Sequence, residues 1–212
     1  MTLVIDYGAG NMRSVLNALD ELGETPTVSD DPAAVAKAER IILPGVGAMK
    51  PAMARLRAKG LDRALTDAVR GRDVPILGIC LGMQMMCSVG HEGGEPVQGL
   101  GWIDGEVVLL EGAPPQRRVP HFGWSEAQWK PGCPLANKLR ASSAFYFCHS
   151  YHAVTKNPDD VAATVEFGGP HTAALWNGSA IAVQFHPERS GKSGLQLLEN
   201  FLDWDGVSRI AA

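Results

Sequence analysis

The run Val74-Pro-Ile-Leu-Gly78-Ile-Cys80-Leu-Gly82-Met-Gln84 constrains this chain more than any other stretch. An apolar segment over 74–79 predicts a buried parallel strand, and it stops at a cysteine with a glycine two residues away on either side. A strand, a sharp turn at Cys80 and a helix starting near Leu81 make up a nucleophile elbow. The glycines have a steric reason, because the backbone packs too closely around such a turn for a side chain at either place. A cysteine at the head of a helix meets unpaired N–H groups and the positive end of the peptide dipoles, which favours a thiolate. The Leu81 N–H is then aimed at the oxyanion formed when Cys80 attacks a carbonyl. Taken alone, the same residues also fit a small buried thiol at a strand end.

A base and an orienting acid occur near the other end of the chain, in Ala182-Val-Gln-Phe-His186-Pro-Glu188. Residues i and i+2 of an extended segment share a face, so the Glu188 carboxylate can reach the His186 ring. Cysteine, histidine and glutamate in these settings form a candidate triad for nucleophilic catalysis.

The totals exclude several other classes. With 212 residues, 45% hydrophobic, 20% charged and a net charge of −4, the chain reads as one globular domain over 1–212, neither disordered nor drawn to polyanions. Nucleic acid is not an expected partner. No apolar run approaches the roughly 18 residues of a membrane helix, and the strand-like Thr2-Leu-Val-Ile-Asp6 stands where a signal peptide would, so a cytoplasmic protein is expected. Cys80, Cys87, Cys133 and Cys148 form no C-x-x-C pair, and the six histidines have no metal-ligand spacing. Neither a metal nor another cofactor is expected.

The front half alternates strand and helix. A strand over 3–7 leads through Gly8-x-Gly10 into a helix with Val15, Leu16, Leu19 and Leu22 on one side, ended by Gly23. The third glycine of a dinucleotide fingerprint would fall at Arg13, so that motif is broken. A strand over 25–28 is followed by Asp31 as N-cap, Pro32 at the first helical position and a helix over 33–38. The apolar Arg40-Ile-Ile-Leu then breaks into Pro44-Gly-Val-Gly47, before a helical stretch over 48–71 interrupted near Gly60. In a doubly wound, mostly parallel sheet with helices on both faces, this loop and the elbow both lie at carboxyl ends of strands, where ligands bind. The Val46 or Gly47 N–H is thus placed as a second oxyanion donor, although an ordinary βα turn would look the same. The back half is β-rich, with strands expected over 101–110, 117–124, 144–155 and 161–167. Two more, over 171–176 and 179–185, are joined by an Asn177-Gly178 hairpin turn, and a closing helix covers 191–204.

Gly78-Ile-Cys80-Leu-Gly-Met-Gln84, Pro44-Gly-Val-Gly47 and His186-Pro-Glu188, in this order, resemble the class I glutamine amidotransferases, flavodoxin-like glutaminases with a Cys-His-Glu triad. Asp6-Tyr-Gly-Ala-Gly-Asn11, Gly99-Leu-Gly-Trp102, Val119-Pro-His-Phe-Gly-Trp124 and Tyr146-Phe-Cys-His-Ser-Tyr151 are similar to the glutaminase subunits of imidazole glycerol phosphate synthases. The resemblance spans essentially the whole chain. It implies that Cys80, His186 and Glu188 hydrolyse glutamine through a thioester, with Leu81 and Val46 or Gly47 as oxyanion donors. It also implies that Gln84, Glu92, His149, Ser150 and Tyr151 bind the substrate, Glu92 facing its ammonium. The implied partner is a (β/α)₈ cyclase subunit, forming a heterodimer that uses the ammonia to make imidazole glycerol phosphate. Asn11, His121, Trp124 and Arg189 are implied to lie toward it. Ser125 and Arg189 depart from the family's usual Asn after Gly-Trp and Lys after His-Pro-Glu. A glutaminase serving another synthase, a catalytically silent subunit, or a peptidase or esterase of similar fold stay open on these residues alone.

Overall fold

A computed structural model describes residues 1–111 and 119–206. Its front half runs β1 (Thr2–Ile5), α1 (Met12–Glu21), β2 (Thr27–Ser29), α2 (Pro32–Lys37), β3 (Arg40–Gly45), α3 (Met49–Ala58), α4 (Leu61–Thr66), β4 (Ile76–Cys80) and α5 (Leu81–Met85). Strands β5 (Cys87–Gly90), β6 (Val97–Gln98), β7 (Ile103–Leu109), β8 (His121–Trp129) and β9 (Ala144–His149) follow. The chain closes with β10 (Tyr151–Thr155), β11 (Val161–Glu166), β12 (Pro170–Asn177), β13 (Ala180–Val183) and α6 (Gly191–Asp203).

The main sheet has the order β2-β1-β3-β4-β13-β12-β11-β8-β9. From β2 to β13 every pairing is parallel, and from β13 to β9 every pairing is antiparallel. Strand residues divide by parity between two cores. Leu3, Ile5, Ile41, Leu43 and Ile76 pack with Val35, Met53, Leu56, Leu61 and Leu65 from α2, α3 and α4. Val4, Ile42, Leu77, Ile79 and Ile181 pack with Val15 and Leu19 of α1 and with Leu197, Leu198 and Phe201 of α6. Both faces are therefore covered, as the near-continuous apolar strands require.

Local signals account for most boundaries. The Asp31 side chain accepts the Ala33 N–H at 2.8 Å, with Pro32 opening α2. Gly60, at φ +69°, separates α3 from α4 where the interruption was expected. Several boundaries fall elsewhere than the sequence suggests. The elbow helix α5 has five residues, and the chain passes at once into β5. The hairpin between β12 and β13 pairs Asn177 with Ala180, so its two-residue loop is Gly178-Ser179, one place later than the sequence indicates. The stretch over 144–155 is two strands: β9 ends the main sheet, and after Ser150 β10 enters a second sheet of order β10-β7-β5-β6. The strand expected from Arg117 is seen only from His121, and Arg117 and Arg118 lie outside the described residues. No helix among the described residues is long and apolar enough to cross a membrane.

Candidate active site

Strand β4 lies between β3 and β13, and all three run in the same direction. Their carboxyl ends bring together Val46-Gly47, Cys80 and the segment leading to His186, the last more than a hundred positions from the other two in sequence. Cys80 carries φ +53° and ψ −108°, a strained conformation for a residue with a Cβ. The surrounding glycines explain how the turn closes. A Cβ on Gly78 would lie 2.8 Å from Met86 Cε, and one on Gly82 would collide with the Leu43 carbonyl oxygen of β3. The elbow is thus pressed onto the neighbouring strand, and its two glycines are required by contact rather than by dihedral freedom.

His186 is fixed before its ring is considered. Its backbone N–H donates to the Tyr146 carbonyl at 2.9 Å, and its own carbonyl accepts the Ser190 hydroxyl at 2.6 Å. Ser190 Oγ in turn accepts the Tyr146 N–H at 3.0 Å. The ring Nδ1 meets Glu188 Oε1 at 2.8 Å, and the pair is nearly inaccessible to water. With Nδ1 committed to the carboxylate, Nε2 is the ring nitrogen left for another partner, and His186 and Cys80 border the same cavity. Burial opposes charge on the ring, but the hydrogen bonds to Cys80 and Glu188 outweigh it and raise the His186 pKa from 6.5 to about 10. A ring held in this way favours its protonated form. Cys87 and Cys133 are raised instead, to about 12 and about 11, first of all by burial, which makes them inert thiols.

A cavity of about 540 Å³ opens over these groups, lined by Cys80, Leu81, Gln84, Val46, Gly47, Glu92, His149, Ser150, Tyr151, His186, Arg189 and Asn11 among others. All the expected triad members reached by solvent, the proposed oxyanion residues and the proposed substrate residues therefore border one space. Gln84 Nε2 donates to the Tyr151 carbonyl at 3.0 Å. Glu92 Oε2 accepts the Met49 N–H at 3.0 Å, which anchors the carboxylate at the head of α3. His149 Nδ1 lies 2.9 Å from the Tyr151 carbonyl, and burial holds its ring neutral, with a pKa lowered to about 3. A larger hollow of about 670 Å³ lies elsewhere, walled by Trp129, Trp176 and Trp204, and no histidine borders it.

The chain matches the family described as Glutamine amidotransferase class-I over residues 3–204. It is 42% identical over 205 residues to the imidazole glycerol phosphate synthase subunit HisH of Salinibacter ruber, covering 95% of this chain and 93% of that one. It is 44% identical over 199 residues to the subunit of the same name from Moorella thermoacetica, covering 93% and 92%. The chain belongs to the HisH family of class-I glutamine amidotransferases. Solved structures agree on the fold. A structure titled as that of a glutamine amidotransferase superposes with TM-score 0.73 at 19% identity, covering 97% of this amidotransferase and 99% of the other. PurLQS from Thermotoga maritima gives 0.72 at 19% identity, covering 95% and 97%.

The expected interface residues separate: Asn11 and Arg189 border this amidotransferase's cavity, while His121 and Trp124 lie on β8. Trp124 is 58% exposed and Phe122 68% exposed, on one face of β8. Arg189 stacks over the Tyr146 ring at 4.3 Å. His121, expected beside Trp124, points the other way and is only 3% exposed, stacked on Phe147 and Phe167 with Nε2 2.9 Å from Ser125 Oγ. Strand parity explains the correction, since residues 121 and 124 lie on opposite faces. Ser125 serves this inward contact. Ser190, which ties His186 to Tyr146, and Gln184, beside Cys80, carry no motif in the sequence. Gln184 alone left a signal, as the one polar side chain in the apolar run from Ala180 to Phe185.

Proposed function

We propose that the chain, acting as one amidotransferase unit over its whole length, hydrolyses the side-chain amide of glutamine to glutamate and ammonia for a cyclase partner. The observation that carries this reading is that Cys80, on its strained elbow, borders one cavity with His186, whose ring Nδ1 is held 2.8 Å from Glu188. Cys80 as thiolate attacks the amide carbon, and the N–H of Leu81 with that of Val46 or Gly47 receives the oxyanion, each donor contributing roughly 3 kcal/mol. His186 gives its proton to the leaving ammonia, forming the thioester. The neutral ring then takes a proton from the water that hydrolyses the thioester, and Glu188 steadies the charge as it returns.

The amino-acid end of the substrate is assigned to Gln84, Glu92 and the 149–151 segment. Glu92 supplies negative charge to the substrate ammonium, with one carboxylate oxygen already held by Met49 N. The exposed Phe122 and Trp124, which both pack edge-on against the Tyr146 ring under Arg189, fit a protein partner better than solvent. The relatives are named as subunits of imidazole glycerol phosphate synthase, so the partner proposed is its cyclase, a (β/α)₈ barrel, in a cytoplasmic heterodimer that forms imidazole glycerol phosphate.

Glutamate production from glutamine, measured for the chain alone and with such a cyclase plus its nucleotide ligand, tests the reading. Low activity alone that rises steeply in the complex is expected. High activity indifferent to the cyclase would remove the partner assignment, and no activity in either state would remove the glutaminase.

A further inference from the structure

Gln184 is 0% exposed, just past the end of β13, where an unpaired amide would be costly. Both ends of the amide are used. Oε1 accepts from Gln84 Nε2 at 3.1 Å, and Nε2 lies 3.7 Å from Cys80 Sγ. Its backbone N–H donates to the Ala173 carbonyl at 2.9 Å, tying this part of the chain to β12.

The direction of these bonds follows from an anchor that can only accept. The Tyr151 carbonyl has no proton to give, so Gln84 must turn Nε2 toward it. The second proton of that same Nε2 needs an acceptor, and Gln184 can offer only Oε1. Gln184 Nε2 is therefore committed to the sulfur. An amide NH₂ donates and does not accept, so it cannot take the thiol proton. That proton has one route, to His186, and the donor left on the sulfur favours the charged form.

We propose that Gln184 is a positioning residue for the nucleophile, holding Cys80 Sγ with a fixed N–H donor so that the thiolate is kept and its proton is directed to His186. The proposal rests on the reading of Cys80 as nucleophile. It also links the sulfur, through Gln84, to Tyr151 at the end of the cavity assigned to the substrate's amino-acid group.

The test is the pH profile of Cys80 alkylation by iodoacetamide on the full chain, with the labelled cysteine read by peptide mass because Cys148 is exposed and would also react. Gln184→Glu keeps an acceptor for Gln84 but turns an oxygen toward the sulfur. Gln184→Leu removes the donor without adding charge, and decides the matter should the glutamate variant fold poorly. The alkylation midpoint is expected to rise by about one pH unit in Gln184→Leu and further in Gln184→Glu. Glutaminase kcat in the cyclase complex should fall about tenfold or more with KM little changed. Midpoints equal to that of the unaltered chain in a folded variant would overturn the role of Gln184 and leave the nucleophile standing. If Cys80 of the unaltered chain resists alkylation across the range, the nucleophile assignment itself falls, and this proposal with it.

Discussion

Glu188 meets His186 Nδ1 through Oε1 at 2.8 Å, while its Oε2 is buried with no hydrogen-bond partner among the described residues. A buried carboxylate with one partner depends on that partner being charged. Glu188→Gln leaves the volume intact and removes the counter-charge. Glutamine turnover in the cyclase complex is expected to fall about 10²- to 10⁴-fold with the fold retained, as circular dichroism would show. A loss of less than about threefold would deny Glu188 its place.

Cys80→Ala should abolish ammonia release, because no other side chain at the elbow can form the thioester. Comparison with Cys80→Gly isolates the backbone strain. Alanine retains a Cβ at φ +53°, whereas glycine relaxes it at some entropic cost. The glycine variant is expected to be more stable than the alanine variant by about 1 kcal/mol in urea denaturation.

Gly82→Ala places a methyl group against the Leu43 carbonyl oxygen of β3. Either the elbow or β3 must move, and the cavity is bordered by the elbow and by the loop that follows β3. A stability loss of about 3 kcal/mol is expected, together with loss of activity out of proportion to the fraction unfolded. Thermal denaturation and single-turnover thioester formation measure the two effects separately.

Stability should peak near pH 6.5. Burial, reinforced by His121, His152 and His171, lowers His149 from 6.5 to about 3, and burial reinforced by His171 lowers His152 from 6.5 to about 4. Their contribution is complete above 6.5 and is lost as pH falls toward those values. His186 is raised to about 10, so its contribution is complete below 6.5 and is lost as pH rises through 10. Urea midpoints between pH 4 and 10 would trace the two limbs, and His149→Gln is expected to flatten the acid one.

Trp124→Ala removes an exposed aromatic side chain that touches neither Cys80 nor His186 in any ring or hydrogen-bond contact. It should weaken cyclase binding by about 2 kcal/mol, roughly 30-fold, while leaving Cys80 alkylation in the isolated chain unchanged. Titration calorimetry gives the first quantity and peptide mapping the second. The same change at His121 would act on folding, since that ring is buried between Phe147 and Phe167.

Much of this site was legible because its chemistry is written in short local patterns. The apolar run ending in Gly78-x-Cys80-x-Gly82 marks a strand, a turn and a helix within eleven residues. The i, i+2 spacing of His186 and Glu188 puts ring and carboxylate on one side. Asp31 and Pro32 start α2 through bonds that span two residues. Each of these depends on dihedral preferences and hydrogen bonds between near neighbours, so the sequence alone determines it.

The rest depends on contacts between distant segments. Whether β13 lies beside β4, and so whether His186 reaches Cys80, is decided by parallel pairing across a hundred residues. The division of 144–155 between two sheets at Ser150 follows from packing against β7, which no local signal marks. His121 turns inward because the strand's register, not its motif, chooses which alternate residues meet the core. Gln184 read as one polar residue in an apolar strand. Only the folded chain shows that its amide is held between Gln84 and the sulfur of Cys80, because the acceptor that orients both amides is a carbonyl from another strand, Tyr151.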